Sequence, residues 1–415
     1  MKHLSSIFML LLLFIHPHAF SQLGLEECQR LARDNYPQIK QFNLIEKSKE
    51  MNLSNASKAY LPQLSISGMA SLIDGTPEIN VPGMTSTNGN HQFIGTASVS
   101  QTIWDGGYTQ AQKNIIAASS EVEKQQIEVQ LHEIEGRVNQ LYFGILLLEK
   151  QLKQTDVLDE NLSLNLTRAK NAHQNGVAYQ SDIDKIMVEI INVEQNRINL
   201  NTQLTAYKQM LSIMINKSIS DETELSLPIK VQRLNEPINR PEIMLFEQQK
   251  NLNELRNSAI TSGYMPKFSL SGQAIGITPG IEIATRKMNH LLMASVNVSW
   301  NIGALYTQKN ERNLIKLNDS KIASNKETFL FNTNLELTQT NNQIKRTERL
   351  IQRDDEIIKL RERIKKASEV RYENGSGTMT DLLIDLNAEN IARQNKALHE
   401  IEYIMYIHSY NTNKQ

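Results

Sequence analysis

The chain contains two similar segments that lie about half its length apart. Residues 60–68, YLPQLSISG, are matched by residues 264–272, YMPKFSLSG, and the match extends back without a gap to Pro37 and Pro241. Solenoid repeats have periods of only ~20 to 50 residues, so this spacing indicates a duplicated unit of half-chain size. Both copies change from helical to strand periodicity and back again. That change constrains the fold more than any other feature of the sequence.

Each copy contains two stretches in which apolar residues alternate with mostly polar residues, the pattern of a strand with two unlike faces. The stretches cover residues 64–72, 93–103, 268–274 and 292–302, and Gly- or Pro-containing loops are predicted at 74–90 and 277–290. Strands of this size approach the ~9 to 11 residues that a tilted strand needs to cross a bilayer. The four strands are therefore candidates for membrane crossing.

Long helices follow each pair of strands. The chain has no proline between Tyr108 and Asn175, which allows a helix on the order of 100 Å long. Apolar residues recur there at spacings of four and three, the period of a left-handed coiled coil: Ile127, Leu131, Ile134, Val138, Leu141, Ile145, Leu148 and Leu152. Further helices are predicted over 25–36, 38–59, 181–216, 241–262, 304–373 and 380–410, with a more polar seam at Ile344, Ile351 and Ile358.

The N-terminus has the pattern of a secretory signal peptide. A basic start is followed by an apolar run over residues 4–15 and by Ala19-Phe20-Ser21, which predicts cleavage before Gln22. The run is too short to span ~30 Å of hydrocarbon. The expected organisation is a signal peptide over 1–21, a first structural repeat over 22–216, a linker or equatorial region over 217–240 and a second repeat over 241–415.

Composition excludes several classes of function. The net charge is −1 and no basic stripe is present, which argues against a nucleic-acid-binding protein. Cys28 is the single cysteine, so no intrachain disulfide can form, and we expect a packed thiol because Leu25-Glu26-Glu27-Cys28 is a poor lipidation site. The histidines lack metal-ligand spacing, and no nucleophile or phosphate loop is recognisable. We therefore expect no enzyme activity, no metal site and no cofactor.

Four strands cannot close a barrel, and an open sheet edge in lipid leaves backbone groups unpaired at a cost of several kcal/mol each. Other chains would have to supply the missing strands. A water-soluble sheet with one buried face is the alternative, and the strand pattern alone favours it. The signal peptide, the long helices and the absence of sequence for a second packing layer favour the membrane.

The order of several short motifs resembles that of the TolC-like outer membrane efflux proteins over essentially the whole mature chain. The motifs are LEE at 25–27, NYP at 35–37, YLPQLS at 60–65, SQTIWDGG at 100–107, RYENG at 371–375 and DLL at 381–383. The resemblance implies mixed α and membrane β structure. Each subunit of a homotrimer would give four strands to a 12-stranded outer-membrane β-barrel, and long coiled-coil helices would form an α-barrel across the periplasm.

By resemblance, the protein would be a passive exit duct of a tripartite efflux or type I secretion system. It would contact outer-membrane lipid, a periplasmic adaptor protein and an inner-membrane pump. The polar strand faces would line the lumen, and the loops at 74–90 and 277–290 would face the exterior. The alternative is a periplasmic coiled-coil adaptor without a pore. The exported cargo stays open between drugs, metals, siderophores and proteins.

The resemblance also implies a periplasmic gate at the tips of the helical hairpins, where Gly176 and Gly375 break the helices. Asp381 would form an acidic ring at the entrance, although Ile384 stands where the family has a second acid. The remaining candidates for the gate or its latch are Asp182, Asp385, Arg371 and Tyr372.

Each of these positions has a structural alternative. Asp381 fits a helix cap with Thr378 as N-cap, and Ser181 with Asp184 offers the same arrangement. Arg371 and Tyr372 also fit an ordinary solvated helix end. Trp300, which lies where the last strand meets the long helix, fits either a membrane-interface residue or a packed residue of the strand-to-helix junction.

Overall fold

The computed structural model describes residues 22–72, 91–220, 223–229, 232, 236–283 and 286–415. The predicted signal peptide at 1–21 and the predicted loop at 74–90 therefore lie outside the described residues. The helices are α1 (Leu25–Asn35), α2 (Gln41–Ser57), α3 (Tyr108–Gln174), α4 (Gln180–Ile215), α5 (Pro241–Gly263), α6 (Leu305–Glu373) and α7 (Met379–Thr412). The strands are β1 (Gln63–Leu72), β2 (His91–Trp104), β3 (Lys267–Ile283) and β4 (Arg286–Ser299).

The four strands form one antiparallel sheet in the order β1-β2-β3-β4. Directly paired residues lie on the same face of a sheet. The register pairs Leu64 with Val99, Val99 with Gly272 and Gly272 with Ala294, so the apolar positions of all four strands share one face. The predicted apolar face is thereby confirmed, and β1 and β4 are the two edges.

Two predicted strand boundaries were wrong. The loop expected at 277–290 is largely strand, because pairs such as Ile281 with Met288 continue the β3–β4 ladder beyond a register shift after Gly276. Alternation is lost at this shift, which concealed the strands in the sequence. In the other case, β4 ends at Ser299, and Ile302 belongs to a short 3-10 helix in which Ala304 N bonds to Asn301 O at 3.3 Å.

By its contacts the chain divides into two compact units, and each contains segments of both sequence copies. The strand unit consists of Lys40–Ile127 and Glu242–Thr328 and includes the sheet. The hairpin unit consists of Glu128–Pro241, Phe329–Gln415 and the N-terminal segment up to Ile39. The predicted division into two sequential repeats describes the duplication and stays a prediction. Among the described helices, none has both the length and the hydropathy needed to cross a membrane.

The core of the hairpin unit is the predicted coiled-coil seam of α3. Its residues from Leu131 to Leu148 are buried, and Leu152 packs against them in a half-buried position. Cys28 on α1 is fully buried in the same core, and burial raises the pKa of its thiol to about 12. The expectation of a packed thiol is therefore confirmed.

Tyr142 in this core is fully buried, and its hydroxyl lies 2.8 Å from the Leu23 carbonyl oxygen and 2.6 Å from that of Ser226. We expect Tyr142→Phe to lower the free energy of unfolding by about 0.5–1.5 kcal/mol, because it removes the hydroxyl that bonds these two carbonyl groups. Urea unfolding of the purified protein measures this change. The exposed Tyr179 is the matched control, and an equal loss in Tyr179→Phe would contradict the assignment.

Candidate functional site: sheet faces and hairpin tips

The sheet has one apolar face and one face whose half nearest the helices is polar. On the polar half, the hydroxyl oxygens of Ser65 and Ser98 lie 2.7 Å apart, and those of Ser271 and Ser295 lie 2.8 Å apart. Asn297 Nδ2 also donates to Ser271 Oγ at 2.8 Å. Uncharged hydroxyl and amide groups of this kind suit a surface that faces water, since they bind water without attracting ions of one sign.

Farther from the helices the same face carries an apolar patch, although the last pair of β1 and β2 on this face, Ser71 with Gln92, is polar again. Met69 pairs with Ile94, Ile94 pairs with Ile277, and Ile275 pairs with Leu291. The polar face predicted from the sequence is therefore polar only over part of each strand. The individual side chains are visible in the sequence, but only the register shows that they form one continuous patch.

Asp105 organises the junction between β2 and α3. Its carboxylate accepts hydrogen bonds from Tyr60 Oη at 2.7 Å, from Gly107 N at 3.0 Å and from Thr109 N at 2.7 Å. Burial raises the pKa of Asp105, but the bonds from Thr109 and Tyr60 outweigh this effect and hold the pKa below its usual value. From the sequence, Asp105 was recognised only as part of the SQTIWDGG motif at 100–107. The signal for its role is a carboxylate placed just before a glycine pair and a helix.

Trp300 lies at the equivalent junction after β4. Its indole Nε1 donates to the Tyr264 carbonyl oxygen at 3.0 Å, while 57% of the residue is exposed. The bonded N–H fits a junction residue, and the exposed ring fits an interfacial residue. The membrane-interface role of Trp300 stays a prediction.

Both hairpin tips end their first helix in the same way. Gly176 and Gly375 have φ values of 73° and 71°, the left-handed conformation that glycine adopts without strain. At the first tip, Val177 N bonds to Ala172 O and Gly176 N to His173 O, both at 2.9 Å. These two bonds form a Schellman motif, and the second tip, between α6 and α7, has the same motif. The predicted helix breaks are confirmed.

An apolar cluster joins the two tips within the hairpin unit. It includes Leu162 of α3, Ile186 of α4 and Leu382 of α7, each at most 1% exposed. Above this cluster, Arg168 Nη1 lies 3.3 Å from Glu373 Oε1. The structure therefore brings together the two tips that the sequence predicted separately.

Asp381 closes a capping box at the start of α7. Its backbone N–H donates to Thr378 Oγ1 at 3.1 Å, and its carboxylate accepts from the Thr378 hydroxyl at 2.7 Å and from the Thr378 backbone N–H at 3.3 Å. The bonds from Thr378 hold the pKa of the exposed Asp381 carboxyl below its usual value, and the charge of Arg371 acts in the same direction. The predicted cap is confirmed, and the gate role stays a prediction.

The other gate candidates have different surroundings. Asp182 Oδ1 lies 3.5 Å from Lys185 Nζ, and Asp385 accepts a hydrogen bond from the Ser368 hydroxyl. Burial, and then the charge of Asp182, raises the pKa of Tyr372. The structure gives the buried Tyr372 hydroxyl no hydrogen-bond partner among the described residues. Asp385 thus contacts α6, whereas Asp381 is engaged with its own helix end.

The second predicted cap was wrong. Helix α4 begins at Gln180, its N-cap is Tyr179, and the cap side chain makes no hydrogen bond. Ser181 already lies in the first turn, where its backbone is helical and cannot serve as N-cap. Asp184 instead accepts from Gln180 Nε2 at 2.9 Å. Within the described part of the chain, no group of three or more His, Cys, Asp or Glu residues could hold a metal ion.

Known structures of outer membrane channels have the same fold at low sequence identity. VceC of Vibrio cholerae, an outer membrane protein, superposes with a TM-score of 0.69 at 11% identity, with 94% of each chain covered. The Campylobacter jejuni CmeC outer membrane channel gives 0.67 at 14% identity over 95% of this chain and 87% of its own. The Neisseria gonorrhoeae MtrE outer membrane channel gives 0.67 at 12% identity over 94% of this chain and 88% of its own.

No protein-family model matches the sequence, and no curated protein is significantly similar to it. The likeness therefore lies in the architecture. Two strand pairs form one sheet, and each pair is followed by a helical hairpin whose first helix ends in a Schellman turn. The protein has the fold of the TolC-like outer membrane channels.

Proposed function

We propose that the protein is an outer-membrane exit channel of a tripartite efflux or type I secretion system. Three copies would each give four strands to a 12-stranded barrel, with the helices in the periplasm, and transport would be passive. One observation carries this proposal: the sheet has two unlike faces and two unpaired edge strands, and it continues into helices of 67 and 69 residues. The fold shared with outer membrane channels supports it.

The surface of the strand unit supports assembly with further copies. Leu64 and Ile66 on the edge strand β1 are 74% and 81% exposed, and α2 contains no buried residue. An isolated subunit would leave these apolar surfaces and both sheet edges uncovered. Neighbouring copies would pair β1 with β4 and remove the edges, while lipid would cover the apolar face.

Membrane fractionation and gel migration test the proposal. We expect the protein in the outer-membrane fraction as a trimer. Without heating, the folded trimer should migrate on a gel faster than expected for its mass, and heating should convert it to the denatured monomer band. The purified trimer should also open ion-conducting channels in planar bilayers. A soluble periplasmic monomer without channel activity would instead support the alternative of a coiled-coil adaptor.

A groove at the tips suits a periplasmic adaptor protein as partner. Helices α4 and α7 enclose about 510 Å³ there, with Val188, Leu383 and Ile384 on its walls and Asp184, Lys185 and Glu189 around them. Val188 and Ile384 are 54% and 60% exposed. An apolar centre with a charged rim is the usual composition of a protein interface.

Ile384→Asp should weaken adaptor binding by about 10- to 100-fold, because burying a large aliphatic side chain contributes about 1.5–3 kcal/mol. Titration of the purified adaptor against the immobilised trimer measures the affinity. Val370→Asp is the control, since Val370 on α6 is similarly exposed at 48% but does not line the groove. Equal losses in both variants would place the adaptor elsewhere.

The proposed acidic ring at the entrance can be separated from the cap. Asp381→Asn keeps an oxygen that can accept from the Thr378 backbone N–H but removes the charge, whereas Asp381→Ala removes both. We expect divalent-cation block of the channel to weaken at least about tenfold in both variants, since ring carboxylates attract cations. Thermal stability should fall more in Asp381→Ala than in Asp381→Asn. Unchanged block in Asp381→Asn would leave the residue with its capping role alone.

A further inference from the structure

The helices of the strand unit contact one another in the order α2, α3, α5, α6, which is the order of the strands that they adjoin. Lys124 Nζ of α3 lies 2.6 Å from Glu46 Oε2 of α2, and Asn253 Nδ2 of α5 donates to the Ile315 carbonyl oxygen of α6 at 2.9 Å. In the middle, α3 of the first sequence copy packs against α5 of the second. We call this helix contact, together with the pairing of β2 with β3, the internal joint. Its apolar helix residues are Ile115, Ala118, Val122, Leu245, Leu252 and Leu255.

The two outer helices of this row carry exposed apolar patches. Leu44 and Met51 on α2 and Leu314 and Leu317 on α6 are between 62% and 66% exposed. Leu44 and Met51 are two helical turns apart on the side of α2 opposite Glu46, and Leu314 and Leu317 share one side of α6. We call these pairs of residues the α2 patch and the α6 patch. A single copy of the chain therefore has an uncovered apolar patch at each end of the row.

The duplication relates the α2 patch to one side of the internal joint. Residues 60–68 match residues 264–272, and the match extends back without a gap through both helices, so each residue of α2 corresponds to the residue 204 positions later in α5. Met51 therefore corresponds to Leu255, which packs in the internal joint. Leu44 lies on the same side of α2 as Met51.

The strand register extends this correspondence to the second strand of each copy. Gly68 pairs with Gly95, and its equivalent Gly272 pairs with Ala294. Gly95 and Ala294 are 199 positions apart, and the glycines of the two hairpin tips are separated by the same number. Residues of β2 and α3 therefore correspond to residues 199 positions later in β4 and α6.

The α6 patch thereby corresponds to the other side of the internal joint. Leu314 is the equivalent of Ile115, and Leu317 is the equivalent of Ala118. Ala118 is 6% exposed because α5 covers it, whereas Leu317 is 66% exposed. The larger apolar side chain thus stands at the uncovered position, which favours a covering partner.

We propose that the internal joint is repeated between copies of the chain. The α6 patch of one copy packs on the α2 patch of the next copy, and β4 pairs with β1 in the register of β2 with β3. Since β2 pairs Ala97 with Ala274, the equivalent pair between copies is Val296 with Ala70.

The repeated joint brings unlike surfaces together, because each copy contributes its α6 patch to one neighbour and its α2 patch to the other. Contacts of this kind form rings when the rotation closes. In a closed ring of three copies every patch and every sheet edge is covered. This inference rests on the assembly of copies in the proposed function and does not depend on transport.

Cross-linking of the purified full-length protein tests the helical part of the joint. With both Met51→Cys and Leu314→Cys in one chain, a short bifunctional thiol reagent should link neighbouring copies into dimers and trimers on a denaturing gel. The yield should exceed that of either single variant at least about tenfold, since thiols held side by side have millimolar effective concentrations. A link must join different copies, because α2 and α6 are at opposite ends of the row. The native Cys28 is fully buried and does not compete.

A matched control keeps Met51→Cys and replaces Leu314→Cys by Lys316→Cys. Lys316 is exposed, but it lies on the side of α6 opposite Leu314. Equal linking in this control would overturn the proposal. Efficient linking in either single variant would also overturn it, because like surfaces would then meet.

A second pair of cysteines tests the strand register. Val296→Cys and Ala70→Cys should link neighbouring copies, since side chains directly opposite each other in an antiparallel pair have Cβ atoms about 4.5–5.5 Å apart. The control combines Val296→Cys with Ile66→Cys, because Ile66 is on the same face of β1 four residues from Ala70. A link to Ile66 as strong as that to Ala70 would overturn the proposed register.

Bilayer recordings of the linked protein separate this proposal from the channel function. Linked trimers that conduct no ions would leave the repeated joint intact and contradict the channel. Conducting trimers in which neither cysteine pair links would overturn the repeated joint and leave the channel function standing.

Discussion

Replacing Gly106 by alanine is expected to lower the free energy of unfolding by about 2–5 kcal/mol. Gly106 has φ +72°, and a Cβ atom there would lie 2.3 Å from Met265 Cβ. The left-handed conformation costs an alanine about 1–2 kcal/mol, and overpacking adds about 1–3 kcal/mol. Met265 Cβ is fixed to the backbone, so relief requires movement of the strand-to-helix junction.

The neighbouring glycine separates these two costs. Gly107 has φ +82°, but a Cβ atom there meets nothing within 4 Å. Gly107→Ala should therefore cost only the conformational part, about 1–2 kcal/mol. Denaturant unfolding of both variants in detergent, with outer-membrane yield as a second readout, makes the comparison. Equal losses would show that the contact with Met265 is relieved cheaply.

Replacing Glu389 by glutamine is expected to cost about 2–4 kcal/mol, near the lower end for breaking a buried ion pair. The Glu389 side chain is 8% exposed; its Oε2 lies 2.7 Å from Lys365 Nζ, and its Oε1 accepts from Arg393 Nε at 2.8 Å. The substitution leaves Lys365, only 19% exposed, without its carboxylate. Unfolding at neutral pH measures the loss.

The effect of Glu389 should also depend on pH. Burial raises the pKa of Glu389, but the bonds from Lys365 and Arg393 outweigh burial and hold the pKa below its usual value. A carboxyl whose pKa is lower in the folded than in the unfolded state stabilises the fold above its unfolded pKa. That stabilisation is lost as the pH falls through the folded pKa. The gap between wild type and variant should therefore be full at pH 7 and shrink below about pH 4.5.

Glu356 on α6 is the control for this experiment. Its Oε2 lies 2.8 Å from Arg353 Nη1, but the Arg353 side chain is 72% exposed and the Glu356 side chain is 63% exposed. Solvent-exposed pairs of this kind contribute little, about 0–1 kcal/mol. Glu356→Gln should therefore leave stability nearly unchanged at every pH. A loss of stability as large as that of Glu389→Gln would mean that the removal of a negative charge, and not its burial, determines the loss.

Much of the fold could be predicted because its periodicities are local. The four strands, the long helices and the turns at Gly176 and Gly375 were recognised from alternation, from heptad spacing and from Asn-Gly breaks. The errors occurred where long-range pairing overrides local pattern, as in the continuation of β3 past Gly276. Ser181 was misassigned because a cap depends on the backbone angles of one residue, which its side-chain type does not determine.

The candidate site was predictable in outline but not in its contacts. Asp381 and its cap follow from the spacing to Thr378, since both residues lie within one helical turn. The bond between Ser368 and Asp385 and the pair of Asp354 with His399 join residues on different helices. Their formation depends on the register between α6 and α7, which no local pattern specifies.

The sequence by itself determined the duplication, the alternation of helix and strand, and the two unlike faces of each strand, because these depend on residue spacing along the chain. Only the tertiary structure decided that the polar sheet face contains an apolar patch, that Asp105 organises a junction and that the buried Glu389 of α7 pairs with Lys365 of α6. These features arise when residues distant in sequence are brought within hydrogen-bonding or van der Waals distance. Packing selects one register between neighbouring strands and between neighbouring helices, and this register decides which side chains meet at the site.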